Sequence, residues 1–219
     1  MTPTAQGDLF PEVPSVGACR LCGAHRYNPA CPYCPMRQAH HAAAGRTDLV
    51  SGESERAAAL AAAVARRQRL AELQRPVRLA LVGCGKSKRA SAATLGELYS
   101  GSLFTAAYRH AQRTADEVFI LSAFYGAASP ALTPVLPGGL DYDLKLTSTR
   151  DEQEAWGHRV GAALERAFRG LTVDVTIYAS RLYADAVKPF LPQSWSCSTP
   201  LDGLGLFERL SWFSSHDDR

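Results

Sequence analysis

Cys19, Cys22, Cys31 and Cys34 lie within sixteen residues, spaced C-x2-C-x8-C-x2-C. Two thiolates separated by two residues can reach one ion, and a second such pair completes a tetrahedron. Four thiolates with no open position are the ligand set of a structural zinc ion, Zn2+. Gly23 follows the first pair and permits the tight turn that such a knuckle requires. Metal binding of this kind supplies roughly 10–16 kcal/mol of folding free energy to a segment with almost no core. His25, His40 and His41 stand nearby as substitute ligands or as surface residues. A redox dithiol would need one C-x2-C pair, not two. The other cysteines, Cys84 and Cys197, stand alone, which suits a reducing cytoplasm and not a secreted disulfide scaffold.

A second group of reactive types begins at Gly83-Cys84-Gly85-Lys86-Ser87. This stretch ends like a phosphate-binding P-loop, G-x-x-x-x-G-K-[ST]. The first glycine of that motif would fall at Ala80, and Lys88 to Thr94 is too small and polar to open a helix at once. Nucleotide hydrolysis is therefore not expected. Amides beside Gly83 and Gly85, with Lys86, Lys88 and Arg89, suit a phosphate or another anion. The plainer reading is a tight turn with exposed lysines.

Further polar groups follow later apolar runs: Tyr99, Ser122, Tyr125, Asp141 and Asp143. Asp141 and Asp143 share a side if their segment is extended. One carboxylate, taken as Asp143, could activate water at a glycosidic carbon while Lys86 and Tyr99 stabilise a departing base. Tyr99, Tyr125 and Tyr142 could stack on an extruded base. The duller alternatives are a half-buried Tyr99 and Tyr142, a capping Asp143, a Ser122 that braces a strand end, and a small buried Cys84.

The elements that must position these groups follow from periodicity and turn chemistry. Val77 to Gly83, Glu117 to Ala123 and Val173 to Ala179 are short apolar runs of the kind found in buried parallel strands. Ser102 to Thr114 has a helical apolar face. Thr149, with Glu152 three residues on, has capping-box spacing for a helix carrying Trp156, Val160, Leu164 and Phe168. Ser180 opens a helix up to Phe190, and Leu206 to Phe213 forms a last one. Alternating strands and helices predict an α/β fold, a mostly parallel sheet with helices on both faces. Function in such folds sits after the carboxyl ends of strands, here at Gly83, Ala123 and Ser180. The expected organisation is a flexible tail over 1–18, the zinc module over 19–50, a basic linker helix over 51–76 closed by Pro76, and the α/β domain over 77–219.

The 219-residue chain carries a formal net charge of +3. From Arg56 to Arg89 nine basic residues meet one acid, Glu72, so this stretch is +8 and the remainder −5. Concentrated positive charge suits a polyanion, with Arg66, Arg67, Arg69, Lys86, Lys88 and Arg89 on phosphates. A solvated helix face is the alternative. No apolar run is long enough to span a membrane, and the first ten residues do not read as a secretory signal.

The segments LVGCGKSK, LGELYSGSLF, ILSAFYGAASP, LDYDLKL and PLDGLGLFERLSWF occur in this order. Together they resemble a poorly characterised prokaryotic and phage family of small α/β domains over Val77 to Phe213. That family is distantly similar to the YaaA peroxide-stress proteins, associated with DNA binding, and to the uracil-DNA glycosylase type of fold. The resemblance implies signature positions at Cys84, Lys86, Lys88, Leu98, Tyr99, Ser100, Phe104, Ser122, Ala123, Tyr125, Gly126, Tyr142, Asp143 and Leu146. In the tail, Gln6-Gly7-Asp8-Leu9-Phe10 resembles the peptide by which bacterial replication and repair proteins bind the sliding clamp, with Gln6, Leu9 and Phe10 as its contacts. The expectation is a zinc-containing nucleic-acid-binding protein of the cytoplasm, acting on DNA before RNA, in repair, stress or phage-related processes. The alternatives are a base-releasing glycosylase-like hydrolase and a protein-interaction adaptor.

Overall fold

The computed structural model describes residues 53–91, 93–132 and 149–216. The chain divides into two units, Met1–Arg66 and Arg67–Arg219. The cysteine quartet, the Gln6–Phe10 tail and Asp141 to Asp143 lie outside the described residues. A helix α1 (Glu53–Ala71) runs across the boundary between the units.

In the second unit the elements follow as β1 (Val77–Gly83), α2 (Leu95–Leu98), α3 (Ser102–Thr114), β2 (Glu117–Ser122), β3 (Gly126–Ala128), α4 (Arg150–Ala167), β4 (Val173–Tyr178), α5 (Arg181–Val187), a 3-10 turn (Lys188–Phe190), β5 (Ser196–Ser198) and α6 (Leu206–His216). The five strands form one mixed sheet in the order β3-β2-β1-β4-β5. Among the described strands, β1 pairs in parallel with β2 and β4, β4 pairs in parallel with β5, and β3 runs antiparallel beside β2.

β1 is central because its sequence is apolar on both faces. Val77, Leu79 and Leu81 enter one core with Trp156, Val160 and Leu164 of α4 and Val187 of α5. Ala80 and Val82 point the other way, into a core with Leu95 and Leu98 of α2, Phe104 and Ala107 of α3 and Phe213 of α6. This alternation is the period of two of a pleated strand, and it places helices on both faces.

The remaining differences from the sequence reading are local. The turn after β2 closes a hairpin: Ser122 Oγ accepts from the amides of Phe124 and Tyr125, each at 3.2 Å. Gly126 then takes φ +71°, a conformation side chains other than glycine's resist. The helix opened by Ser180 changes to a 3-10 turn at Lys188, because Pro189 has no amide hydrogen to continue the α-helical ladder. Thr149 and Glu152 bond to each other through Oγ1 and Oε2, and Thr149 makes no side-chain cap to a backbone amide of α4.

Candidate functional site

The direction of sheet growth reverses at β1: β2 lies on one side of it and β4 on the other. At such a switch point the loops leaving two adjacent parallel strands turn to opposite faces and leave a crevice between them. Here the crevice is a cleft of about 430 Å3, within the range of small-ligand sites. One wall is the loop from Gly83 to Ser87, and the opposite wall is Tyr178 to Ser180 with Tyr183. Gly83 lets the two strand ends meet, since a Cβ there would lie 3.0 Å from the Ala179 Cβ. A neighbouring hollow lined by Arg181, Asp185, Lys188 and Asp202 has space for only about 10 Å3, enough for about one water.

The loop over 83–88 is anchored at both ends. The Cys84 amide donates to Leu121 O at 3.0 Å. The Ser100 amide donates to Ser87 O at 3.0 Å, and Lys88 forms an isolated bridge with Tyr99. Lys86 is therefore carried on a braced loop and is exposed at the cleft wall. Gly101 and Ser102 bring the first turn of α3 to the same cleft. The leading amides of a helix have no partner within it and carry the positive end of its dipole.

The cleft floor is less polar. Leu103, Phe104, Leu201 and Leu206 line it, and the Cys84 Sγ lies 3.5 Å from the Tyr183 hydroxyl. Burial pushes the Tyr178 phenol above its ordinary value, while a side-chain hydrogen bond with Thr114 acts in the opposite direction. It is a neutral wall group at physiological pH. Arg209 supplies the second cation, its guanidinium held in place by Nε donating to Leu204 O at 2.8 Å. Among the described residues, the charged side chains that line the cleft are Lys86 and Arg209.

The residues singled out in sequence separate into groups. Lys86 lines the cleft. Tyr99 does not: the residue is 3% exposed and its ring packs on Phe104 with centroids 5.0 Å apart, so it supports the wall from within the core. The Lys88 Nζ lies 5.9 Å from the Tyr99 ring centroid, and Arg89 is exposed further along the chain. Arg69 is paired with Glu117 at 2.6 Å, and Arg67 donates to Arg169 O at 2.7 Å. Asp143 lies outside the described residues. Among the described residues no group of three or more metal-ligating side chains occurs, and the four cysteines lie outside them. No helix among these residues is long and apolar enough to cross a membrane.

Sequence reasoning missed Tyr183, Leu206 and Arg209. The available signals were position and motif: Tyr183 follows the Ser180 loop, and Leu206 and Arg209 lie within the segment PLDGLGLFERLSWF at the head of the last helix. Nothing local joins them to Gly83.

Fold and cleft together define an α/β protein with a cleft carrying Lys86 and Arg209 at the switch point of a mixed sheet. The chain belongs to a family of unknown function, DUF6884, whose model matches residues 79–215. The match includes β1 from Leu79, the whole remaining sheet and both walls of the cleft. No curated protein and no solved structure matches the chain.

Proposed function

We propose that this protein binds nucleic acid and takes one nucleotide unit into the cleft between β1 and β4. The observation that carries this reading is the lining: two cations, Lys86 and Arg209, beside the apolar side chains of Leu103, Phe104 and Leu206. A nucleotide has the complementary parts, an anionic phosphate joined to a flat base with apolar faces. The phosphate fits beside Lys86 and the first turn of α3, whose leading amides have no partner within the helix. Lys88 and Arg89 extend the positive surface beyond the loop. The family that the motif segments resemble is distantly similar to the DNA-associated YaaA proteins, and this favours DNA before RNA.

On spacing and residue type, Cys19, Cys22, Cys31 and Cys34 hold one structural zinc, and Gln6, Leu9 and Phe10 form a sliding-clamp peptide. The zinc braces a small module and supplies no reaction step.

The test is fluorescence anisotropy with single- and double-stranded DNA and RNA over a salt series, with free base assayed in the same samples. The expected outcome is affinity that falls linearly in log–log form as salt rises. Lys86→Ala and Arg209→Ala should each weaken binding to all sequences alike and reduce the salt slope by about one. Absence of binding to every nucleic acid at low salt would refute the reading. Release of a base that stops on Asp143→Asn would add a glycosylase-type activity to it.

A further inference from the structure

The first turn of α6 carries an exposed aromatic ring beside the cleft. Phe207 is 82% exposed, the most of any exposed large apolar residue described, and Leu206 next to it is 57% exposed while lining the cleft. Both sit on a turn that is held in place. The Glu208 Oε2 accepts from the Gly205 amide at 2.6 Å, and the Arg209 amide donates to Gly205 O at 3.0 Å. Further along the same helix, Phe213 is buried against the core shared with α3. The helix is thus fixed at one end by the core and presents Leu206, Phe207 and the cleft cation Arg209 at the other.

We infer that the nucleic acid held by the cleft is single-stranded, and that Phe207 is the platform on which a flanking base stacks. This rests on the reading of the cleft as a nucleotide site. In a duplex the faces of each base are covered by its neighbours, so neither a recessed cleft nor a free aromatic ring can engage them. In a single strand both faces are available, and an aromatic ring beside a cationic groove accepts any base by its π-face. Leu206 and Arg209, three residues apart on one face of the helix, both line the cleft, and Phe207 stands next to Leu206 outside that lining, so phosphate attraction in the cleft and base stacking at its rim act on neighbouring units of one strand. That charge argues for a polyanionic strand as occupant in preference to a second copy of this chain or another protein. The Glu208 carboxylate, committed to the Gly205 amide, keeps the start of α6 from being a phosphate site. Phosphate contact therefore falls to Lys86, Arg209 and the first turn of α3.

The experiment compares the full chain with Phe207→Ala, Phe207→Trp and Lys86→Ala on a single-stranded oligonucleotide, the same strand in duplex, and a strand of abasic units. The wild type should favour the single strand over the duplex at least tenfold. Phe207→Ala should lose about tenfold on the single strand, the size expected for one stacked base, with an unchanged salt slope and little change on the abasic strand. Phe207→Trp should retain affinity, and its fluorescence should be quenched on binding. An exposed position leaves the fold intact, which circular dichroism checks. If Phe207→Ala binds the single strand as the wild type does while Lys86→Ala is weakened, the inference fails and the reading of the cleft stands. If the wild type binds no nucleic acid, both fail. Sedimentation in which Phe207→Ala turns a dimer into a monomer would overturn the inference in favour of a contact between two copies.

Discussion

At Asp116, one carboxylate collects the donors of two arginines. Arg75 approaches it with two nitrogens at 2.6 and 2.8 Å, the Arg78 amide donates at 2.9 Å and its guanidinium at 3.1 Å. The Arg75 hydrogen bonds, ahead of those from Arg78, hold the Asp116 carboxyl well below the usual carboxylate range against the opposing effect of burial. A group whose folded pKa is depressed stabilises the fold above its unfolded value, near 4, and that stabilisation is lost as pH falls further. Asp116→Asn should lower the urea midpoint at pH 7, and the gap to the wild type should narrow by pH 3. A gap of constant size at the two values would show that the ion pairs contribute nothing. The same geometry engages part of the basic run in ion pairs. Arg69, Arg75 and Arg78 are paired with Glu117 and Asp116 at the amino-terminal ends of β1 and β2, while Lys86 lines the cleft.

Among the elements, α4 shows how backbone approach sets the cleft. Gly157 and Gly161 lie one turn apart, and α5 with its 3-10 extension presses against them. A Cβ on Gly157 would lie 1.8 Å from Ala186 O, and one on Gly161 2.3 Å from Phe190 O. Glycine costs a helix interior roughly 1 kcal/mol relative to alanine, so Gly157→Ala would stabilise an isolated helix. In this packing the methyl group must displace backbone, and overpacking of this kind costs typically about 1–3 kcal/mol or more. Gly157→Ala and Gly161→Ala should therefore lower the urea midpoint. They should also weaken nucleotide binding, because α5 carries Tyr183, whose hydroxyl meets Cys84 in the cleft. An unchanged midpoint would show that α5 moves away freely. The short elements α2, β3 and β5 were not legible in sequence. Four and three residues cannot show a period of 3.6 or of 2 against their surroundings. The longer runs, from β1 to α6, were legible because each repeats its own period several times.

At the scale of the whole molecule, the family match over 79–215 falls inside the second unit, and the cysteine quartet falls in the first. If the quartet holds zinc, native mass spectrometry should find one zinc ion per chain, lost in the Cys19→Ser/Cys22→Ser double variant. A metal-free wild type would remove the zinc proposal without touching the cleft. Charge points the same way as the site. The chain is +3 overall, yet part of its densest positive stretch is neutralised on Asp116 and Glu117, so salt-dependent binding should respond more to Lys86 and Arg209 than to Arg69. Arg69→Ala with a larger loss than Lys86→Ala would reverse that order.

By itself the sequence determined the α/β class, the three long strands, and Gly83 and Ser180 as the starts of the loops that follow two of them. Those features rest on local periodicity and on turn residues, which act over a few positions of the chain. Only the tertiary structure decided that these two loops face each other, because that depends on β4 pairing beside β1 rather than beyond β2. It alone brought Tyr183, Leu206 and Arg209 to the cleft, buried Tyr99 behind it, and turned the Ala123 loop into a hairpin. Each of those outcomes depends on contacts between segments far apart in the chain, whose formation is governed by how two buried sheet faces are covered at once and leaves no mark on local spacing.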